Sequence, residues 1–386
     1  MIPHHQTNPY AWYERYATTP VVHDPDTGFW HVFGYAEAKQ VLTDVTRFSS
    51  NLNEYFLRHG QPMPSDLPLT RSLIRQDPPE HTRLRRIINP AFTADAMHRL
   101  APRVEALARE FLHRLIEHET VDLVEDFAYP FPVTVIAELL GIPATDRPLF
   151  RRWVQLLLPP DSEGDLPFAI HDPVKRTQRQ TVNREMTGYF REILQHKPAG
   201  LLGDLAASGL AESEILTFAF LLLIAGHVTT TNLLSSALLK WVQSPDAAPV
   251  DPTAETTRLY LEEVLRYWSP VQRLSRYCTA DVEMGAQTIH AGEAVIVWLG
   301  AANRDPVKFP EPNTFLPHRM PNPHMAFGFG IHTCVGAPLA RLEARTAIPL
   351  FWRETRLDPT ATPPEQPSHQ GILFGVDRLP VRIRTV

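Results

Sequence analysis

One cysteine carries the chemistry. Cys334 lies in Ala326-Phe327-Gly328-Phe329-Gly330-Ile331-His332-Thr333-Cys334-Val335-Gly336-Ala337-Pro338, a run punctuated by glycine. Glycine lets a backbone take positive φ and pass close to something flat. After Cys334 the pattern turns helical: Pro338 suits a first turn, and Leu339, Leu342 and Ile348 follow at helical spacing. The cysteine therefore precedes a helix N-terminus, where dipole and free amides favour a thiolate and lower its pKa. A thiolate in a glycine-rich turn is a soft metal ligand. Zinc takes four protein ligands, or three and a water. The chain has 2 cysteines in all, which excludes a cysteine-rich zinc or iron–sulfur site. His332-x-Cys334 alone is a weak zinc signal. Heme iron needs only one axial ligand from the protein, and thiolate is one that it accepts.

Three other stretches hold reactive types at telling spacings. In Asp77-Pro78-Pro79-Glu80-His81-Thr82-Arg83-Leu84-Arg85-Arg86, Asp77 or a proline can start a helix. His81 and Arg85 then share a face. Two donors there suit an anion, with Arg offering a fork to a carboxylate; a solvated basic face reads the same way. From Glu212 to Val242 the pattern is one long helix with Ala225-Gly226-His227-Val228-Thr229-Thr230 at its middle. Small residues there leave room, and a threonine hydroxyl can bond the i−4 carbonyl or a ligand. Glu263 and Arg266 are spaced as a facing ion pair, which is worth little at a surface.

Phe-Gly-x-Gly-x-His-x-Cys-x-Gly at 327–336 resembles the heme-binding loop of the cytochrome P450 family, with every position filled. The resemblance implies a mainly α fold with small β-sheets in a single large domain spanning 1–386. It implies heme b as cofactor and Cys334 as its axial metal ligand. Phe327 would shield the sulfur, Gly328, Gly330 and Gly336 shape the loop, and His332 reach a propionate. His81, Arg85 and, by position, Arg276 would bind propionates. Ala225, Gly226 and Thr229 would form the oxygen-binding groove, with Thr229 helping to deliver protons as dioxygen is split. Glu263 and Arg266 would form a buried structural pair.

Two departures stand out. The family usually has Asp or Glu directly before the groove threonine, and this chain has Val228. Water or another group must then feed Thr229; His227 is a substitute that more often serves in packing. The usual third member of the Glu–Arg lock, an arginine in Pro-x-Arg-Phe, is here Thr314, and Arg319 is the replacement to look for.

The elements that must position these groups follow the chain. Pro20–His23 and Phe29–Phe33 read as strands split by Asp24-Pro25-Asp26-Thr27-Gly28, with a helix after them that turns Ala38, Val41 and Leu42 inward. Residues 51–76 read as a substrate-side loop with Phe56, Leu67 and Leu73 as pocket candidates, and long loops inside a domain are usually functional. Met97, Leu100, Val104, Leu107, Phe111 and Leu115 make an amphipathic helix. Residues 122–143 resemble the family's scaffold helix. Residues 145–200 hold two helices around a Pro-rich break, the family's mobile lid. Prolines 245, 249 and 252 break the segment between Ser244 and Thr253. Val271 to Arg276 reads as a strand. Val271 and Leu274, with Ile372, Leu373 and Phe374, are the substrate candidates, and 326–350 is the thiolate loop with its helix.

Composition bounds the rest. The chain has 386 residues, 44% apolar, with no linker, repeat or low-complexity tract. A net charge of −6 argues against nucleic acid or an acidic membrane as partner. The other cysteine, Cys278, makes no disulfide scaffold, so a reducing, cytoplasmic compartment is expected. The N-terminus shows no signal pattern. The longest apolar run, Ile215 to Gly226, reads as a buried helix rather than a membrane anchor. The expected activity is insertion of one oxygen atom into a hydrophobic small molecule by a monomer. Electrons would come from a separate ferredoxin and its NAD(P)H-dependent reductase, docking near Arg83, Arg86 or Arg345. The rivals are a peroxide-driven heme enzyme, on account of Val228, and a non-catalytic heme sensor.

Overall fold

Helices build most of the protein because its apolar residues recur at helical spacing over long runs. The computed structural model describes residues 8–58, 60, 71–157, 173–196, 198–247, 249, 252–365 and 372–386. Leu67 and the residues between the lid helices lie outside the described residues. The helices that frame the site are α1 (Tyr35–Thr43), α2 (Glu80–Ile88), α3 (Ala94–Ile116), α4 (Pro130–Leu140), α5 (Arg147–Leu157), α6 (Pro173–Gln195), α7 (Glu212–Gln243), α8 (Ala254–Tyr267) and α9 (Ala337–Glu354).

Helix α7 is apolar on nearly all sides, as a helix in the middle of a large core must be. By length and composition it could cross a membrane, yet 61% of its most apolar window is buried inside the protein. It packs against α4, α9 and α8. Helix α3 buries Met97, Val104, Leu107, Phe111 and Leu115, the predicted stripe, against α9. Gly141 ends α4 in the left-handed region, at φ 82. A Cβ there would meet the Ala199 carbonyl oxygen at 1.9 Å, so only glycine serves.

The predicted hairpin is β1 (Val21–Asp24) against β2 (Phe29–Val32). With β3 (Phe48–Ser49), β4 (Arg273–Cys278) and β5 (Ala294–Trp298) it forms a five-stranded sheet in the order β1-β2-β5-β4-β3. A second sheet joins Thr120–Asp122, Pro380–Thr385 and Thr355–Pro359. Residues 245–247 form one 3-10 turn where the prolines break the chain. Cys278 is fully buried in the sheet-side core, its thiol pushed up to about 11 by burial.

The Glu–Arg lock is complete and dry. Arg266 binds both carboxylate oxygens of Glu263 at 2.8 Å, and neither side chain reaches solvent. Arg319 donates Nε–H to the same carboxylate at 3.1 and 3.2 Å. It also bonds the carbonyls of Pro310, Glu311 and Thr314. Arginine from further along the chain thus does what residue 314 cannot.

Candidate active site

Cys334 faces a cavity of about 240 Å³, far beyond the roughly 10–15 Å³ that one water needs. Helix α7 forms the opposite wall. Ala225, Gly226, Thr229 and Thr230 come from its middle, and Phe327, Gly328, His332, Cys334, Gly336 and Leu339 from the loop and α9. The two segments singled out in the sequence, about a hundred residues apart, therefore meet across one space. Apolar side chains close it: Leu73, Ile136, Leu221, Pro270, Val271 and Leu274.

The loop is held by its own backbone. Gly328 and Gly330 sit at φ 73 and 72, where a side chain is strained. A Cβ on Gly330 would lie 2.4 Å from the Leu42 carbonyl oxygen of α1. The Cys334 amide donates to the Phe327 carbonyl at 2.8 Å. Gly336 has φ −81 and caps α9; a Cβ there would stand 3.9 Å from the Cys334 sulfur.

The thiol does not titrate as the sequence implied. Burial pushes the Cys334 thiol up and outweighs the amides of Gly336 and Ala337 and the charges of Arg85 and Arg341, which pull it down. The helix terminus helps the thiolate, and a low-dielectric site opposes it more strongly. A bound cation is what tips this balance. Among the described residues no three His, Cys, Asp or Glu side chains converge to hold a metal ion, so a metal that needs three or four protein ligands finds no site here. Heme iron asks the protein for one.

Arg341 of α9 lies over the Phe327 ring, 4.4 Å from its centre, and makes two 2.7 Å bonds to Glu262. His324, 2.9 Å from Glu262, accepts from the Ala326 amide. Burial pushes Glu262 up, but Arg341 and His324 hold it well below the usual carboxylate range. This brace was not foreseen; nothing in local spacing relates residue 262 to 341.

At the cavity edge cations gather. The His81 and His332 rings meet at a tilt of 57°, 4.3 Å between centres, and His332 Nε2 lies 2.9 Å from Ser50 Oγ. Among the described residues Nε2 of buried His81 has no hydrogen-bond partner. Asp77 caps no helix; its carboxylate accepts from the Ser49 hydroxyl and the Ser50 amide. Arg276 is buried on β4 and pushed down to about 10 by burial, with Asp77 opposing. Arg85 lines the cavity and is pushed down by burial. Burial and the neighbouring cations Arg276, His81, Arg85 and Arg75 drive His332 down to about 3. Buried cations this close call for an anion. A flat group with carboxylates at one edge and a metal that takes one thiolate fits both ends of the site.

On α7, Thr229 Oγ1 donates to the Ala225 carbonyl at 2.9 Å. A Cβ on Gly226 would meet Ile136 at 3.1 Å, so its smallness also serves the packing of α4. His227 points away from the site. It is fully buried, bonds the Leu223 carbonyl through Nδ1 at 2.7 Å, and meets the Tyr129 ring edge-on. It is the packing residue rather than the relay. Val271 and Leu274 line the cavity as expected. Among the described residues the wall does not include Ile372, Leu373 or Phe374. Phe374 packs edge-on against Tyr10 in the N-terminal aromatic cluster, because its amide bonds the Pro270 carbonyl. Phe56 is buried in that same cluster. Leu73 reaches the wall. Arg83, expected at a docking surface, pairs with Glu80 and with Glu214 of α7.

The cytochrome P450 family model matches residues 255–383. Cytochrome P450 109 of Bacillus spizizenii is 36% identical over 379 residues, covering 95% of this chain and 89% of its own. Cytochrome P450 monooxygenase PikC of Streptomyces venezuelae is 35% identical over 360 residues, 88% of this chain and 82% of its own. The crystal structure of CYP109E1 from Bacillus megaterium in complex with testosterone superposes with a TM-score of 0.86 at 34% identity, covering 97% of this chain and 98% of that one. Fold, site and relatives agree: the chain belongs to the cytochrome P450 family and is a heme-dependent monooxygenase acting on small molecules.

Proposed function

We propose that the protein holds heme b with Cys334 on the iron and the propionates among His81, Arg85, Arg276 and His332, and oxidises an uncharged, apolar substrate on the α7 side. The observation that carries this reading is the single cavity that has Cys334 on one wall and Thr229 on the other. Bound there, heme supplies oxygen activation; the chain supplies a thiolate, a dry enclosure and a place for protons.

Thr229 has a defined part. Its proton is engaged by the Ala225 carbonyl, so its lone pairs are what it offers the cavity. It accepts from a water or a protonated oxygen species and donates only when the Ala225 bond breaks. With Val228 at the acid position and His227 turned away, protons reach it through water. The substrate class follows from the wall: Leu73, Ile136, Leu221, Val271 and Leu274 exclude charge, and burying an unpaired charge among them is costly. The testosterone complex of the Bacillus megaterium relative makes steroids the first compounds to test. Electrons come from a ferredoxin and an NAD(P)H-dependent reductase, and the compartment is cytoplasmic. Exposed Arg86 serves the docking, with Arg83 and Arg345 beside it, each partly exposed although paired with a carboxylate.

The test is spectral. Uncharged steroids and macrolides should shift the Soret band of the ferric protein, and matched compounds carrying a carboxylate should not. Equal shifts from both sets would overturn the substrate class. A second reading, peroxide-driven turnover, is favoured by Val228 alone. Product formed faster with hydrogen peroxide than with ferredoxin and NAD(P)H would replace the first reading with this one.

A further inference from the structure

Glu262 stands next to the lock and outside it. On α8 its neighbour Glu263 binds Arg266 and Arg319 and accepts from Asn322 Nδ2 at 3.1 Å. Glu262, one position earlier, lies about 100° round the helix, and its side chain is 12% exposed. Its carboxylate takes two 2.7 Å bonds from Arg341, one of 2.9 Å from His324 Nε2 and one of 3.2 Å from Arg345.

Two of these partners lead to the thiolate loop. His324 Nδ1 accepts from the Ala326 amide, so the ring proton sits on Nε2 and is donated to Glu262 by a neutral imidazole. The Arg341 guanidinium lies 4.4 Å from the centre of the Phe327 ring, within reach of its negative face. The Phe327 carbonyl in turn accepts the Cys334 amide at 2.8 Å, and both residues line the cavity. Between the two, the Met325 amide is tied to Asn303 Oδ1 at 2.6 Å. Glu262 therefore grips the loop at 326 and at 327, one backbone bond from the cysteine.

Charge makes a second link. The Arg341 cation is felt at Cys334, where it favours the anion. The forked contact with Glu262 sets an opposite charge directly on that cation. Net positive charge beside a metal site favours its reduced, more negative state, and net negative charge opposes it.

We propose that Glu262 is a positioning residue for the heme thiolate: through Arg341 and His324 it holds Phe327 beside Cys334, and by offsetting the Arg341 charge it sets how readily the iron takes an electron. This rests on the reading of Cys334 as the axial ligand.

The experiment is a spectroelectrochemical titration of the purified holoprotein, without substrate or protein donor, for wild type, Glu262→Gln, Arg341→Gln and the double variant. Glutamine keeps the length of Glu262 and removes its charge. Glu262→Gln should raise the equilibrium constant for one-electron reduction by about three- to tenfold, the scale of one partly screened charge; tenfold is about 59 mV. Arg341→Gln should lower it by a similar factor, and the double variant should return close to wild type. Shifts of the same sign in both single variants would mean a loosened loop and overturn the proposal, as would no shift in either. Should Glu262→Gln fail to fold, Arg341→Gln and Arg341→Lys decide, because lysine keeps the charge without the fork. A drop with Gln alone supports the charge role, and equal drops overturn it. A wild type without the long-wavelength Soret band of the reduced carbon monoxide complex would instead overturn the thiolate reading beneath; with that band present, the titrations bear on Glu262 alone.

Discussion

At the scale of single residues, burial decides more than sequence neighbours do. Cys334 sits at a helix N-terminus, yet desolvation deep in the cavity pushes its thiol up, although its surface opens onto that cavity. Cys334→Ser should abolish the long-wavelength Soret band of the reduced carbon monoxide complex; an identical spectrum would remove the ligand assignment. His227 obeys the same rule. Burial drives it down to about 4 from 6.5. The unfolded chain takes up that proton below pH 6.5 and the folded chain resists until about 4, so stability falls as pH drops through this window. Full burial sets the loss at about 3 kcal/mol. His227→Gln should flatten the acid side of a plot of unfolding free energy against pH; an unaltered slope would show that other groups set it. Thr229→Val removes the lone pairs facing the cavity and should raise peroxide release per NAD(P)H consumed. Unaltered coupling would show that protons take another route.

At the scale of elements, the loop before α9 is shaped by contacts it makes with distant segments. Gly330 presses on the Leu42 carbonyl at positive φ, while Gly336 does neither. Gly330→Ala should cost at least roughly 1–2 kcal/mol in the loop conformation alone and lower heme occupancy. Gly336→Ala should leave chemical unfolding midpoints close to wild type. Equal effects would contradict the close approach. The lock around Glu263 makes a sharper demand. Both arginines bind one fully buried carboxylate. Removing Arg319 leaves Glu263 paired with Arg266 but takes the donors from the Pro310, Glu311 and Thr314 carbonyls, so Arg319→Met should destabilise by roughly 1–3 kcal/mol, measured by urea unfolding. A loss below about 1 kcal/mol would reduce it to a surface-type pair. The Glu262 brace acts beside this lock, since the same carboxylate holds Arg341 against the Phe327 ring and His324 under Ala326.

At the scale of the molecule, two kinds of interaction are kept apart. The cavity wall is mainly apolar, whereas Arg85 lies at its edge and Arg86 on the outer face. Raising ionic strength screens exposed charges over about 10 Å and leaves buried contacts alone. Reduction by ferredoxin should slow with added salt while the affinity for an uncharged substrate holds. A substrate affinity that fell in parallel would place charge recognition in the pocket.

The sequence by itself determined the chemistry whose parts are close in the chain. The cysteine loop, the His81–Arg85 pair and the Ala225–Thr229 groove are each read from a few adjacent positions. Helical period places their side chains, and Arg276 joined them only through the family resemblance. Fold class was legible for the same reason, since long amphipathic runs state their own period. Only the tertiary structure decided what depends on residues far apart. It put Arg319 on Glu263 and Arg341 on Glu262, pairings separated by 56 and 79 positions. It turned Phe374 and His227 away from the cavity, because one backbone bond and one helix rotation choose the face. It reversed the shift of Cys334, because desolvation is a property of the packed surroundings and has no signature in the residues on either side.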